Sequence, residues 1–133
     1  MGDYQVGVLP VTDENETKVA LVTTRSGSRW TFPKGRIEEG RCDREVAEEE
    51  AYEEAGLVGE VSPWYQEFEI SFGNASRIRL YQMSVHEVLK YWPESEERKR
   101  AIVSVQEAAE LLGEDLQACL KRMLELSASP KRA

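Results

Sequence analysis

Alternation of apolar and polar positions predicts β-strands in five segments of the chain. The β-branched apolar runs at 4–11 and 18–24 flank the polar turn DENET, which is typical of a hairpin. Residues 77–88 alternate with a period of two and predict one long strand. Residues 58–72 alternate loosely and predict one or two strands, and residues 101–105 predict a short strand.

Three other segments have the features of helices. Residues 44–55 follow Asp43, a candidate N-cap, and precede Gly56 at the position of a C-terminal cap. Two further helices are predicted at 106–112 and 114–126. The last of these helices has one apolar face, made of Leu116, Cys119, Leu120, Met123 and Leu124.

The order of these elements predicts an α/β fold in which helices cover both sides of a mixed sheet, an α/β/α sandwich. The length of 133 residues suits one domain, which we place at 1–126, followed by a flexible tail at 127–133. The composition, 41% hydrophobic and 32% charged, is that of a globular protein, and no run approaches the roughly 20 apolar residues of a membrane span.

Net charge and cysteine content limit the binding partners and the cellular compartment that we expect for the chain. A charge of −8 disfavours nonspecific binding to nucleic acid or to an anionic membrane. Cys42 and Cys119 are too few for a secreted disulfide framework, and the first residues lack a signal-peptide pattern, so we expect free thiols in the cytoplasm. His86 has no neighbour at metal-ligand spacing and is expected to be a partly exposed strand residue.

The segment DREVAEEEAYEE at 43–54 is unusually acidic for a helix. It places like charges four residues apart, an arrangement that destabilises a helix unless a cation lies nearby. Such a run is often a solvated face, but Glu50, Glu53 and Glu54 are spaced i, i+3, i+4 and therefore converge on one patch. Because carboxylate oxygens suit Mg²⁺ or Mn²⁺, the spacing indicates a candidate metal site.

Gly35 and the segment EAYEEAGL at 50–57 resemble the signature of the Nudix hydrolases, G-x5-E-x7-R-E-U-x-E-E-x-G-U. The matching residues are Gly35, Glu50, Glu53, Glu54, Gly56 and Leu57. Arg41 stands where the signature has glutamate, Glu49 where it has arginine, and Ala51 where it has a bulky aliphatic residue. Because both charged positions have changed sign, we expect Arg41 and Glu49 to form the same kind of ion pair in reverse.

The resemblance implies a metal-dependent hydrolase that cuts a phosphoanhydride bond with Mg²⁺ or Mn²⁺. It implies that Glu50 and Glu54 ligate the metal directly, and that Glu53 is a ligand or orients the attacking water. A metal held there would stabilise charge on the phosphate oxygens and lower the pKa of a bound water.

Further motifs extend the resemblance over most of the chain. WTFPKG at 30–35, EVLKYWPESEERKR at 87–100 and SVQEAAELL at 104–112 are similar to the branch of diadenosine and diphosphoinositol polyphosphate hydrolases. The aromatic residue that often follows the basic cluster in that branch is replaced here by Ala101-Ile102. The resemblance implies a small-molecule polyphosphate as substrate, and it does not separate dinucleotides from inositol pyrophosphates.

Basic side chains explain how a chain with net charge −8 could receive an anionic substrate, since arginine binds phosphate through paired hydrogen bonds. The candidate substrate-binding residues are Arg25, Lys34, Arg36, Arg77, Arg79, Arg98 and Arg100. Any one of them could instead be ordinary surface charge. Similarly, Trp30, Trp64, Tyr65 and Trp92 suit either packing at the edge of the core or stacking on a base.

Two other functions remain open at this point. The chain could be a Nudix enzyme that acts on ADP-sugars or nucleoside triphosphates. It could also be a non-catalytic nucleotide-binding module of Nudix fold, which the changes at Arg41 and Glu49 would permit. The intact set of Glu50, Glu53 and Glu54 favours catalysis over binding alone.

Overall fold

A mixed sheet with helices on both faces organises the chain. The computed structural model describes residues 4–13, 15–71 and 76–127. The strands are β1 (Gln5–Thr12), β2 (Lys18–Thr23), β3 (Trp30–Thr31), β4 (Lys34–Arg36), β5 (Leu57–Glu69), β6 (Arg77–Val88) and β7 (Arg100–Ser104). The helices are α1 (Asp43–Ala55), α2 (Val105–Leu111) and α3 (Glu114–Ser127). The α/β/α sandwich with a mixed sheet is therefore confirmed.

The strands follow the spatial order β3-β2-β1-β6-β5. The neighbours β1 and β6 are parallel, whereas the other neighbours in this order are antiparallel. The short strand β4 pairs with β1, placing Gly35 opposite Val6, and β7 pairs with β2. The predicted hairpin of the first two strands and the long strand at 77–88 are confirmed.

The sheet has two apolar faces because side chains alternate along each strand. On β1, Val6 and Val8 pack against α1 in one cluster, while Leu9 and Val11 join a second cluster with α2 and α3. The first cluster also contains the small residues of α1, and the second contains the apolar face predicted for α3. The sheet is thus enclosed between α1 on one side and the other two helices on the opposite side.

The predicted N-cap of α1 is wrong by one residue. Cys42 is the N-cap, and Asp43 is the first residue of the helix. Asp43 does not act as the cap because its carboxylate accepts hydrogen bonds from the Tyr4 hydroxyl and the Arg79 guanidinium. The Glu45 side chain instead accepts the backbone N–H of Cys42, at 3.1 Å. The predicted C-cap is confirmed, since Gly56 has a left-handed φ of 64°.

Two short strands were not predicted, because β3 and β4 lie in a stretch that lacks a clear period. Their backbones are held by pairing with β2 and β1, which local sequence does not reveal. The segment predicted as one or two strands is the single strand β5, with register shifts at Val58/Gly59 and between Val61 and Tyr65. Most of the predicted turn at 73–76 lies outside the described residues, as does most of the tail predicted at 127–133.

Cys42 is an exposed free thiol and Cys119 a buried one, as the prediction of free thiols requires. His86 is a strand residue of β6, as predicted, and it is exposed where partial exposure was expected. Among the helices of the described segments, none is long and apolar enough to cross a membrane.

The close approach of β5 to β6 at the first register shift gives a test of the fold. A Cβ added at Gly59 would lie 2.0 Å from the backbone oxygen of Ser84, which no side-chain rotation can relieve. We expect Gly59→Ala to lower the free energy of unfolding in urea by about 1–3 kcal/mol or more, as overpacking does. Gly113→Ala is the matched control, because nothing lies within 4 Å of its added Cβ. Equal stability of the two variants would contradict the described register.

Candidate functional site

Two glutamates of α1 lie at the edge of its buried face. That face is built on Ala47, Ala51 and Ala55, which are fully buried at four-residue spacing against the sheet. Glu50 and Glu54 each precede one of these alanines and therefore lie beside the stripe. The Glu54 side chain is buried, with 6% of the residue exposed, while Glu50 is partly buried. Small side chains at the stripe bring the helix close enough to the sheet to enclose these carboxylates.

The Glu54 carboxylate is held from two directions. Its Oε1 atom accepts the backbone N–H of Lys34 at 3.2 Å, and its Oε2 atom lies 3.3 Å from the guanidinium of Arg98. The Arg98 side chain is only 11% exposed and also donates to Glu94 at 2.7 Å and to the backbone oxygen of Thr23 at 3.0 Å. Arg98 therefore joins Glu54 of α1 to Glu94 of the loop before β7.

The position of the Glu50 carboxylate depends on a glycine in the neighbouring strand β4. A Cβ added at Gly35 would lie 2.3 Å from Oε2 of Glu50 and 2.9 Å from its Cγ. The glycine of the signature therefore serves here to let β4 pass directly beside the Glu50 carboxylate. Any side chain at this position would displace the carboxylate.

The glutamates of the site carry protons more readily than ordinary carboxylates. Burial raises the pKa of Glu50 to about 8, helped by the adjacent charges of Glu54, Glu53 and Glu94. Burial also raises the pKa of Glu54, although Arg98 and the Lys34 N–H oppose the change. The pKa of Glu53 is raised mainly by burial and then by Glu49. Burial lowers the pKa of Lys34, against the attraction of Glu54. The site is therefore short of positive charge.

These residues fit a divalent cation through two carboxylates. The donor atoms are oxygens, as Mg²⁺ and Mn²⁺ prefer, and the raised pKa of Glu50 marks a place where a cation would relieve repulsion. In the ranges that the structure describes, no group of three or more His, Cys, Asp or Glu side chains is arranged to hold a metal ion. Mg²⁺ commonly binds through one or two carboxylates and completes its shell with water and substrate phosphates, which Glu50 and Glu54 would permit.

The segment after β6 encloses the end of α1 with Trp92, for which the sequence left packing and base stacking open, and with Glu94, which was not among the predicted site residues. Trp92 donates its indole N–H to the backbone oxygen of Glu54 at 2.9 Å, and the N–H of Glu94 donates to that of Glu53 at 3.1 Å. The Glu94 side chain is 16% exposed and contributes to the raised pKa values of Glu50, Glu53 and Glu54. The WPE motif at 92–94 was the available signal for these contacts.

The predicted basic residues fall into four locations. Arg25, Lys34 and Arg98 lie around the carboxylates: Arg25 pairs with Glu94 at 3.6 Å and also with Glu97. Arg36 is an exposed residue of β4, two positions from Lys34. Arg100 lies at the end of α1, where it donates to the backbone oxygens of Ala55 and Leu89, each at 2.8 Å.

Arg77 and Arg79 lie at the opposite end of α1. Both pair with Glu67 on the neighbouring strand, at 3.0 and 3.1 Å. Arg79 also pairs with Asp43 at 3.2 Å and lies over the ring of Tyr4, 4.1 Å from its centre. Glu50 is seven positions after Asp43, which corresponds to about 10 Å along a helix. The structure therefore does not bring these two arginines into contact with the glutamate pair.

The reversed ion pair is present. The Arg41 guanidinium lies 2.9 Å from the Glu49 carboxylate and 3.2 Å from that of Glu38. The hydrogen bond to Glu49 is the largest of the effects that raise the pKa of Arg41. The pair therefore ties the loop before α1 to the helix, and the charge of Arg41 partly offsets the effect of Glu49 on Glu53.

Comparison with known proteins agrees with this architecture. The family model for the NUDIX domain matches residues 2–125. Nudix hydrolase 13, mitochondrial, of Arabidopsis thaliana is 30% identical over 128 residues, which cover 86% of this chain and 63% of that protein. Diphosphoinositol polyphosphate phosphohydrolase 3-beta of Bos taurus is 31% identical over 122 residues, covering 88% of this chain and 74% of that protein.

The chain thus spans less than two thirds of the length of the plant relative. Among solved structures, a binary complex of the C. elegans Ap4A hydrolase superposes with a TM-score of 0.77 at 14% identity. The superposition covers 95% of this chain and 98% of the nematode chain, and it shows the shared fold. With a family model that spans nearly the whole chain and relatives at about 30% identity, this protein belongs to the Nudix family.

Proposed function

We propose that this protein hydrolyses a phosphoanhydride bond in a small-molecule polyphosphate with the help of Mg²⁺ or Mn²⁺. The observation that carries the proposal is the pair of enclosed carboxylates, Glu50 and Glu54, in surroundings that raise the pKa of both. When bound, the cation would neutralise phosphate charge and lower the pKa of a water. Glu50 and Glu54 would hold it, with substrate oxygens completing its shell.

The other residues of the site divide into acid–base and binding roles. Glu53 lies one residue before Glu54, is less buried, and has a raised pKa, which suits a group that orients or deprotonates water. Arg98 keeps the Glu54 carboxylate in place. A phosphate beside Glu50 would meet basic side chains from two places. Lys34 and Arg36 belong to β4, and Arg25 pairs with Glu94 of the loop after β6.

The proposed substrate is a diadenosine polyphosphate or a diphosphoinositol polyphosphate. The Bos taurus relative is named for the second class, and the C. elegans structure for the first. Basic residues at both ends of α1 favour a substrate with several phosphates over an ADP-sugar, which has two. The predicted cytoplasmic location remains a prediction, because the Arabidopsis relative is named as mitochondrial.

Substitution of the carboxylate pair tests the metal assignment. We expect Glu50→Gln and Glu54→Gln each to lower turnover about a hundredfold or more, because each removes a charge that would hold the cation. Chelation should abolish the wild-type activity, and Mg²⁺ or Mn²⁺ should restore it. Assays would use a panel of polyphosphates in ¹⁸O-water, with products identified by mass.

Glu48→Gln is the matched control, since Glu48 is an exposed carboxylate of the same helix. The assignment is wrong if both pair variants stay folded and turn over at the wild-type rate. If the two variants lose no more than the control does, the carboxylates have no special part in the reaction.

The reversed pair can be tested by exchanging its charges. Arg41→Glu and Glu49→Arg should each lower turnover, because each brings two like charges together beside Glu53. The double variant should recover most of the loss, because it restores an ion pair in the usual family orientation. The same exchange at Arg122 and Glu125 of α3, a surface pair at 3.5 Å, is the control and should leave turnover unchanged. Strictly additive losses would exclude coupling.

Because basic residues from other elements lie beside both ends of α1, the effect of substrate length can be tested. We expect Arg77→Ala to raise KM for a pentaphosphate-bridged dinucleotide by about tenfold, the effect of one lost charge-assisted hydrogen bond, with little change for a triphosphate-bridged one. The shorter chain would not reach Arg77 from the glutamate pair. Arg122→Ala on α3 is the control. Equal changes in KM for both substrates would show that Arg77 belongs to the fold and not to the binding surface.

A further inference from the structure

The C-terminal turn of α1 carries two of the three glutamates of the site. The last carbonyl groups of any helix have no partner within the helix, so they must be satisfied from outside. The last turn of α1 has no basic residue of its own to interact with these carbonyls. Gly56 adds a backbone N–H that reaches back to Tyr52, which leaves the carbonyls of Glu53, Glu54 and Ala55 for other donors.

Three consecutive carbonyls at this helix end receive donors from one distant segment. The N–H of Glu94 binds the oxygen of Glu53 at 3.1 Å, and the Trp92 indole binds that of Glu54 at 2.9 Å. The Arg100 guanidinium binds the oxygen of Ala55 at 2.8 Å. The segment thus continues the hydrogen bonding of the helix across its end.

Trp92 and Arg100 also hold each other. The Arg100 guanidinium lies 4.2 Å from the centre of the Trp92 ring, in the geometry of a cation–π contact. Gly56 admits the indole to the helix end, because a Cβ there would lie 2.9 Å from three atoms of Trp92. The N–H of Leu89 donates to the oxygen of Gly56 at 2.8 Å and fixes the start of the segment.

We infer that Trp92 and Arg100 are positioning residues, which set the last turn of α1 and thereby the carboxylate of Glu54. The same loop binds Glu54 at two points. Trp92 donates a hydrogen bond to the Glu54 backbone oxygen, and Arg98 forms an ion pair with the Glu54 carboxylate. Arg100, which the sequence suggested as a substrate ligand, has a helix-capping role in this inference. The inference rests on the proposed function for its effect on catalysis, although not for its effect on the helix.

Conservative variants test the inference. Trp92→Phe keeps a ring but removes the indole donor, and Arg100→Lys keeps the charge but removes the planar group that binds two carbonyls and stacks. Trp64→Phe and Arg122→Lys are matched controls, since Trp64 packs on the opposite face of the sheet and Arg122 lies on α3. Measurements would be amide hydrogen exchange at residues 53–57, Mn²⁺ affinity of the substrate-free protein by electron paramagnetic resonance, and the separate values of kcat and KM.

We expect both test variants to exchange faster at residues 53–57 than the wild type, with the amides of β1 unchanged. Their Mn²⁺ affinity should fall by about tenfold or more, which is typical when a residue supporting a metal ligand is replaced. Turnover should fall with little change in KM, because the substrate contacts remain. If one variant fails to fold, the other carries the test.

Two results would overturn the inference: exchange at residues 53–57 that matches the controls, or Mn²⁺ affinity lowered equally in Trp64→Phe. If instead the wild type binds no Mn²⁺ and Glu50→Gln retains full turnover, the proposed function fails. Faster local exchange in the Trp92 and Arg100 variants would still establish that these residues fix the helix end.

Discussion

Enclosure of the Glu54 carboxylate is the constraint on which the rest of the site depends. A buried charge is costly unless hydrogen bonds and an opposite charge compensate it. Here the compensation comes from the Lys34 N–H on β4 and from Arg98 in the loop before β7. Two segments far apart in the chain must therefore be in place before Glu54 can be buried. The fold and the chemistry of the site are consequently coupled through one side chain.

Helix α1 serves both the core and the site because its buried stripe is made of alanines. Larger side chains at Ala47, Ala51 and Ala55 would lift the helix from the sheet and open the enclosure around the glutamates. Gly35 and Gly56 also permit close packing at the site. A Cβ at Gly35 would collide with the Glu50 side chain, and a Cβ at Gly56 would collide with Trp92. The replacement of the bulky aliphatic residue of the signature by Ala51 is thus consistent with tight packing of the helix on the sheet.

Basic side chains around α1 offset part of the acidity of the helix. Much of the positive charge near α1 is already paired with carboxylates: Arg98 with Glu54 and Glu94, and Arg79 with Glu67 and Asp43. The exchange of sign at Arg41 and Glu49 keeps an ion pair while leaving a further acidic group on the helix.

The sequence by itself determined the elements whose signals are local or periodic. These include the first hairpin, the long strand β6, α1 with its cap at Gly56, and the pairing of Arg41 with Glu49 from their exchanged signs. Tertiary structure alone decided the strands β3 and β4, the partners of Asp43, and the place of Arg100 at the helix end. The physical reason is that hydrogen-bond partners distant in sequence set these features, and a linear pattern contains no record of which distant groups meet.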